Sequence, residues 1–376
     1  MTNGHAALPF AASEYQGRLA SVLAAMAEHR ADLLLVDQID SMAYISGYAH
    51  SGARYQALLI RADGSAELLI RGSDEESARR TTWVEKLTGF EDDEDEMAIL
   101  GRLVAASNPR TLAIETDSHF LTIKRFEFLK SKFPRVRFAD FAKVIWEQRL
   151  IKSPAEIECL RRASQIADAC VRAGAEAVKA GRSEREPAIA TYRKAIAMGA
   201  DNGRVAVFGY GSTVANMHGR LGTRTMEDGE LYFIEAVPQV HGYSARIARP
   251  IAVGHASDRH RHIADRIVEI QDRQIAAMVP GANAGDVDLI VREAMLREGL
   301  KKTFPQVSGY TLGYHAAPRT ADHTRIFMRG ESWTLLAGMV FHMILYSEGL
   351  PFSETILVSD DAPVRLTSTA RTLMVQ

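Results

Sequence analysis

Apolar and polar residues alternate along the first part of the chain with the periods of both helices and strands. Residues 14–29 have apolar positions at helical spacing, and residues 31–38 follow as a short buried strand. Residues 55–72 form two strand-like arms around Asp63-Gly64, which is a strong short signal of a β-hairpin. Residues 111–117 predict another strand. This alternation predicts an α/β layer with a mixed sheet.

A different order begins near residue 150, where helical patterns come before strand-like ones. Ser153 predicts the N-cap of a long helix, and Glu156 completes a capping box with it. Ser183 and Glu186 predict the start of the next helix in the same way. Strand pairs, further helices and a final hairpin-like unit follow. This order predicts an α+β fold with a curved antiparallel sheet covered by helices.

The length of 376 residues favours about two domains. We predict a small N-terminal α/β domain over 1–147 and a C-terminal domain over 150–376. Within the C-terminal domain, residues 230–254 predict a strand, a tight turn and a second strand.

Composition excludes several classes of function. The formal net charge is −2 and no basic stripe with interleaved aromatic residues occurs, so we expect neither nucleic acid nor a membrane as a partner. No apolar stretch approaches the roughly 20 residues that span a bilayer, and the first residues lack a signal-peptide pattern. The two cysteines, Cys159 and Cys170, lie three turns apart in one predicted helix and predict core packing without a disulfide. A cytoplasmic location fits this pattern.

Seven short motifs follow one another along the chain. They are MAYISGY, LIKSPAEIECLRRA, ANMHG, HGYSARIARPIAVG, PGANAGDVDLIVREAM, GYTLGY and GMVFHM. Their order and spacing resemble those of the creatinase/prolidase family, and the resemblance covers nearly the whole chain. It implies a creatinase-like N-terminal domain, a C-terminal pita-bread domain and a homodimer in which the N-terminal domain helps to close the partner's pocket. By the same resemblance, Tyr48, Arg54 and Tyr55 lie at that edge.

The metallopeptidases of this family hold two metal ions with two aspartates, one histidine and two glutamates, and this chain differs at all five positions. The residues that resemblance places there are Glu235, Arg246, Tyr310, Ile344 and Ser353. Hard divalent cations need several convergent oxygen or nitrogen ligands. We therefore expect no metal ligands and no cofactor.

Creatinase and the ectoine hydrolases are similar family members that lack the same metal set. The positions shared with the ectoine hydrolase branch are Glu235, Arg249, Gly309-Tyr310, His323-Thr324, Phe341-His342 and Ser353-Glu354. This resemblance implies hydrolysis of a C–N bond in a small, polar, nitrogen-rich molecule such as a cyclic amidine. The chain departs from that branch at Ser244 and over 316–322, so the resemblance does not identify the substrate, and ectoine is one candidate.

The candidate catalytic residues combine carboxylates and histidines. Glu235 shares a strand face with Phe233 and Val237, and loss of hydration there raises the pKa of its carboxyl toward neutrality, which suits a group that transfers protons or attacks a carbon directly. Histidine is the side chain best matched to acid–base work near neutral pH, which favours His342, and the family places a substrate-contacting histidine at His218. Alternatives are a salt bridge from Glu235 to a neighbouring arginine, a core position for His342 and a backbone-bonded loop position for His218.

The remaining site predictions concern one acid and the groups that contact the substrate. Strand alternation puts Glu354 on the face opposite Ser353, but the related branch keeps this acid and a bulge would turn it inward. Arg246 either receives a substrate carboxylate or pairs with Glu235. The other predicted substrate contacts are Tyr310, His323 and Tyr243.

The leading hypothesis is a metal-independent hydrolase of C–N bonds, with a small molecule as its partner. A first alternative is a metal-dependent Xaa-Pro-type dipeptidase. A second alternative is a non-catalytic, peptidase-like binding protein.

Overall fold

The chain divides into two compact units, with the boundary between Arg149 and Leu150. The computed structural model describes residues 8–48, 54–201, 206–210, 221–315 and 322–376. No helix in these ranges has the length and apolar character needed to cross a lipid bilayer.

The first unit is built on a mixed sheet of six strands in the described residues. Its helices are Ala12–Glu28 (α1), Ile39–Ser46 (α2), Glu75–Thr81 (α3), Glu96–Ser107 (α4), Ile123–Lys132 (α5) and Val144–Gln148 (α6). Its strands are Leu33–Val36 (β1), Ala57–Arg61 (β2), Ala66–Arg71 (β3), Lys86–Phe90 (β4), Thr111–Ile114 (β5) and Arg137–Asp140 (β6). The strand order is β4-β3-β2-β1-β5-β6, with antiparallel pairs inside the β1–β2–β3 meander and parallel pairs elsewhere.

Both faces of this sheet are apolar because helices cover both of them. Leu34 packs in one core cluster with Val22 of α1, whereas Leu33 packs in another with Leu100 of α4. Buried strands with two covered faces lose the alternation of polar and apolar residues, which explains the continuous apolar run of β1. The prediction of an α/β layer with a mixed sheet is confirmed.

Two buried acids lie where neighbouring parallel strands end. Asp37 follows β1 and Glu115 follows β5, and these strands pair directly. The Tyr55 hydroxyl donates to Asp37 Oδ2 at 3.2 Å, and the Ser41 hydroxyl donates to Glu115 Oε1 at 2.7 Å. Burial is the main cause that raises the pKa of Asp37 to about 6 and that of Glu115 to about 8. Glu115 is therefore protonated at neutral pH.

Glu115→Gln is expected to stabilise the first unit in a pH-dependent way. The unfolded chain loses the Glu115 proton above the ordinary pKa of 4.5, whereas the folded chain keeps it up to about 8, so stability falls as the pH rises between these values. The gain in free energy of unfolding over the wild type should grow from near zero at about pH 4.5 to several kcal/mol, at most about 5, at pH 8. Denaturant titrations across this window measure it. The exposed Glu127→Gln should show no such trend, and an equal gain from Glu115→Gln at both ends of the window would contradict the burial of a protonated acid.

The second unit carries a larger sheet, of nine strands in the described residues. Its helices are Pro154–Glu176 (α7), Arg185–Ala197 (α8), Asp258–Ala276 (α9) and Ala284–Arg297 (α10). Its strands are Ala206–Tyr210 (β7), Leu231–Ala236 (β8), Gln239–Val240 (β9), Tyr243–Ser244 (β10), Ile247–Ala252 (β11), Gly309–Thr311 (β12), Ile326–Phe327 (β13), Val340–Ser347 (β14), Leu350–Leu357 (β15), Val364–Arg365 (β16) and Met374–Val375 (β17). The main order is β13-β12-β14-β15-β11-β8-β7, with β16 on β15 and β17 on β11, while β9 and β10 form a separate small hairpin.

The two predicted helix starts differ in outcome. Ser153 caps α7, and Glu156 closes the capping box as predicted. The next helix begins at Arg185 with Glu184 as its N-cap, one residue later than predicted, although the Ser183 hydroxyl accepts from the Arg185 backbone N–H at 3.3 Å. The Ser183 carbonyl also accepts from the Glu186 backbone N–H, so the chain already turns before the first residue of the helix. Both cysteines lie buried and unbonded to each other in α7.

Helices pack against one face of the large sheet, and several buried polar residues lie on the opposite face. Ile234 packs in a core cluster with Ile166 of α7, and Phe352 packs in another with Ile267 of α9. Side chains alternate along a strand, so the neighbours of these apolar residues point the other way. Glu235 and its counterparts on the adjacent strands therefore share the face away from α7 and α9.

Tight turns set the register of the strands that carry this face. His241 and Gly242 both have positive φ, as do Glu348 and Gly349, so each pair forms a two-residue turn of the kind that fits antiparallel strands. A Cβ at Gly242 would lie 2.2 Å from the ring of Tyr314, so the close approach requires glycine. The second turn joins β14 to β15 in register over all eight residues of each strand.

Candidate active site

Four side chains from four parts of the large sheet meet on the face opposite α7 and α9. Glu235 comes from β8, Arg246 directly precedes β11, Tyr310 lies in β12 and His342 in β14. Tyr310 pairs with His342 across β12 and β14, and directly opposed residues of antiparallel strands lie on one face. The structure thus brings together four residues that lie far apart in sequence.

Arg246 connects two of these side chains. Its Nη1 donates to Glu235 Oε1 at 3.1 Å and to the Tyr310 hydroxyl oxygen at 2.6 Å. Its backbone is fixed by Thr355, whose hydroxyl accepts from the Arg246 N–H at 2.9 Å and donates to the Arg246 carbonyl at 2.8 Å. Burial alone would lower the pKa of Arg246, but its interactions with Tyr310 and Glu235 outweigh burial and raise it. Arg246 is a fixed positive charge within the site.

His342 is buried with 1% of its surface exposed. Neither ring nitrogen has a hydrogen-bond partner in the described part of the chain, and Nε2 lies 3.8 Å from Glu235 Oε1. Burial, and then the charge of Arg246, hold the pKa of His342 well below its usual value. The imidazole is therefore neutral at physiological pH and has unused capacity to donate and to accept hydrogen bonds.

Tyr310 lies between two histidines. Its ring centroid is 5.0 Å from that of His342 and 5.0 Å from that of His323, which is exposed. Burial raises the pKa of Tyr310, while Arg246 acts in the opposite direction. The phenol thus keeps its proton, and the structure brings His323 to the same edge of the site.

Glu354 does not belong to this group, which corrects the prediction of a catalytic role. It lies on the other face of β15, as strand alternation alone indicates, and no bulge turns it inward, because β15 pairs with β14 without interruption. Its carboxylate is fully buried, with Arg249 Nη2 at 2.6 Å and Arg371 Nε at 3.3 Å, and it also accepts from the Thr367 hydroxyl. Arg249 donates further to the carbonyl oxygens of Thr369 (2.8 Å) and Ala370 (2.9 Å). Glu354 is a structural acid that joins β15, β11 and this later segment.

Three other predicted contacts are buried, one of them in the second unit and two in the first. Tyr243 is buried and donates its hydroxyl to Glu156 Oε1 at 2.6 Å, so it fastens its hairpin to α7. Tyr48 and Tyr55 are buried in the first unit, and Tyr55 is held by Asp37. The position of Tyr48 and Tyr55 at the edge of a partner's pocket stays a prediction.

Arg54 and His218 are the last two of the predicted site residues. Arg54 is exposed and lies 3.5 Å from Glu96 Oε2, so it has the accessibility that an edge position needs. His218 lies outside the described residues.

The sequence analysis did not identify Thr355, and it treated Ser353 only as a former metal-ligand position. Ser353 shares the site face, and its buried hydroxyl has no hydrogen-bond partner in the described ranges. Thr355 lies two residues further on the same face, opposite His342. The period of two along β15, counted from Ser353, is the signal that identifies both.

The five positions that the resemblance equates with metal ligands do not form a metal site. Glu235 supplies one carboxylate, Arg246 brings a positive charge into contact with it, and Ile344 has no donor atom. Within the described residues, no three His, Cys, Asp or Glu side chains are grouped so that they could hold a metal ion. Because hard divalent cations need several convergent oxygen or nitrogen ligands, this donor set does not fit a pair of them.

Comparisons with known proteins agree with the two-unit fold. The chain is 27% identical over 362 residues to an Xaa-Pro dipeptidase of Pyrococcus furiosus, covering 95% of this chain and 99% of the relative. It is 25% identical over 396 residues to the ectoine hydrolase of Halomonas elongata, covering 98% and 99%. The prolidase of Pyrococcus horikoshii superposes with a TM-score of 0.82 at 25% identity, over 95% of this chain and 100% of that one.

Two family matches cover the chain in sequence. Residues 18–151 match the creatinase/prolidase N-terminal domain, and residues 158–360 match metallopeptidase family M24. The second match spans more than half of the 376 residues and contains all four side chains of the candidate site. The chain therefore belongs to metallopeptidase family M24, a family of hydrolases, and carries a creatinase/prolidase N-terminal domain.

Proposed function

We propose that the protein is a metal-independent hydrolase that cleaves a C–N bond in a small, polar, nitrogen-rich substrate, such as a cyclic amidine of the ectoine type. The observation that carries this proposal is the meeting of Glu235, Arg246, Tyr310 and His342 on one sheet face. The group combines a carboxylate, a fixed cation, a protonated phenol and a neutral imidazole. The 25% identity to an ectoine hydrolase over nearly the whole chain supports the substrate class.

The proposed reaction is addition of water followed by loss of an amine. Glu235 takes a proton from the attacking water as the oxygen bonds to the sp² carbon of the substrate. The leaving nitrogen then takes a proton from Glu235, directly or through His342, and the C–N bond breaks. For a cyclic amidine the product is an open-chain amide with a free amine, and its mass exceeds that of the substrate by one water. Direct attack by Glu235 on the same carbon is the nucleophilic variant, and a covalent adduct trapped on this residue distinguishes it.

The second candidate is a metal-dependent Xaa-Pro dipeptidase. The similarity to the Pyrococcus furiosus dipeptidase favours it at the level of the whole chain. The local chemistry opposes it, because Arg246 and Ile344 stand where that activity needs acidic ligands. A cation next to Glu235 repels a metal ion that this carboxylate would bind.

A turnover screen with and without a chelator tests the proposal against both alternatives. The compounds are ectoine, hydroxyectoine, creatine, small cyclic amidines and Xaa-Pro dipeptides. We expect hydrolysis of at least one amidine at a rate that the chelator does not change, and no hydrolysis of the dipeptides. Dipeptide turnover that chelation abolishes, with about two tightly held metal ions per chain, would establish the peptidase. No turnover of any compound would overturn the proposal and favour a binding protein.

A further inference from the structure

We infer that Arg246 is a positioning residue that holds the Tyr310 hydroxyl as a hydrogen-bond donor toward the substrate. The inference rests on the proposed function and specifies the substrate side of the site: an acceptor atom, such as a carbonyl oxygen or an imine nitrogen, lies against Tyr310. It replaces the prediction that Arg246 receives a carboxylate of the substrate.

The direction of the hydrogen bond between Arg246 and Tyr310 is fixed by chemistry. A guanidinium donates and never accepts, so the Tyr310 oxygen is the acceptor of the 2.6 Å contact. Nη1 carries two hydrogens; one is donated to Tyr310, and Glu235 Oε1, at 3.1 Å, accepts a hydrogen bond from the second. The hydroxyl hydrogen of Tyr310 must therefore point to a different acceptor.

No residue in the described ranges accepts that hydrogen. Tyr310 is buried, with 8% of its surface exposed, and the rings of His323 and His342 lie beside it. A buried donor without an acceptor costs about 1–3 kcal/mol, which a ligand acceptor at this position would recover. The two nitrogens of His342, which also have no partner in the described chain, lie beside it.

The donor and the acceptors of the site then match one functional group. Tyr310 donates on one side, and Glu235 and neutral His342, 3.8 Å apart, accept on the other. Amides and amidines present a C=O or C=N acceptor next to an N–H donor, so they complement both sides at once. A substrate carboxylate on Arg246 would instead lie close to Glu235, and the two negative charges would repel each other.

The cation also strengthens the donor during the reaction. As water adds to the sp² carbon, negative charge develops on the substrate heteroatom that faces Tyr310. A phenol polarised by a neighbouring guanidinium stabilises that charge in the manner of an oxyanion hole. Arg246 thus acts on the substrate through Tyr310.

Variants of the pair test this inference by turnover. On whichever compound the wild type hydrolyses, Arg246→Met and Tyr310→Phe should each lower kcat by about 10²–10³-fold and change KM by less than about threefold. The double variant should be no slower than the slower single variant, because both remove one shared interaction. Tyr232→Phe is the matched control: it removes a buried hydroxyl on the helix-covered face of β8, bonded to the Glu184 carbonyl, and should keep wild-type kcat. A rise in KM with unchanged kcat for Arg246→Met would restore the carboxylate-binding role, and additive losses would separate the two residues.

A second measurement needs no turnover. In protein labelled with ¹³C at the tyrosine ζ carbon, the Tyr310 signal is identified by its loss in Tyr310→Phe. Arg246→Met should shift this signal, whereas Tyr232→Phe should leave it in place. An unchanged Tyr310 signal in folded Arg246→Met would overturn the inference. A wild type that is inactive on the whole screen would overturn the proposed function, while this signal still decides whether Arg246 positions Tyr310.

Discussion

Glu235→Gln is expected to lower kcat by about 10³-fold on any compound that the wild type hydrolyses. The amide keeps the shape of the side chain but cannot take the proton of the attacking water, and it cannot act as a nucleophile. The loss should appear in kcat at saturating substrate, measured by following the amine product.

Two further variants separate chemistry from folding in this experiment. Glu235→Asp keeps a negative charge for Arg246 but withdraws the carboxylate from His342, so its thermal midpoint should stay near that of the wild type while kcat falls. Glu230→Gln, which removes an acid paired with Arg224 just before β8, should stay within about twofold of wild-type kcat. Folded Glu235→Gln with undiminished kcat would make Glu235 a structural partner of Arg246.

Glu354→Gln is expected to lower the free energy of unfolding by about 3–5 kcal/mol. The substitution leaves the guanidinium of Arg249 without its counter-charge in a position where both side chains are fully buried. Chemical denaturation of the two proteins measures the difference. Glu348→Gln is the control, because Glu348 pairs with Arg259 at the exposed end of the neighbouring strand and should cost less than about 1 kcal/mol.

The same variant decides the role of Glu354. Because this acid lies on the helix-covered face, Glu354→Gln should keep wild-type kcat per folded molecule at temperatures where it stays folded. A variant as stable as the wild type but inactive would return Glu354 to the catalytic group.

Local chemistry predicted much of the fold. The capping box of Ser153 and Glu156 involves four consecutive residues and formed as expected, as did the hairpin around Asp63-Gly64. The same pattern placed the start of α8 one residue too early, because Glu184 is the N-cap although the Ser183 hydroxyl accepts from the Arg185 N–H. Local signals predict that an element exists better than they predict where it starts.

The site was predictable in part. The alternation of side chains along β8, together with the family resemblance, selected Glu235. Its pairing with Arg246 was one of the two roles considered for that arginine. Alternation along β15 also placed Glu354 correctly on the face opposite Ser353, whereas the resemblance to the ectoine hydrolase branch favoured a position in the site. Tyr48 and Tyr55 were selected by their residue type in the family, and a resemblance of residue types does not predict how deeply a side chain is buried. The contact between Arg246 and Tyr310 joins residues 64 positions apart, and no local pattern encodes it.

The bonds from Arg249 to the carbonyls of Thr369 and Ala370 also bear on how the chain matures during synthesis. These acceptors lie 120 and 121 residues after Arg249, and β17 pairs with β11 from still further along. A ribosome that has just released β11 into solution has not yet made them. Every strand described for the first unit has been synthesised by Asp140, so this unit can fold early. The second unit cannot complete the buried contacts of Arg249 until this late segment emerges.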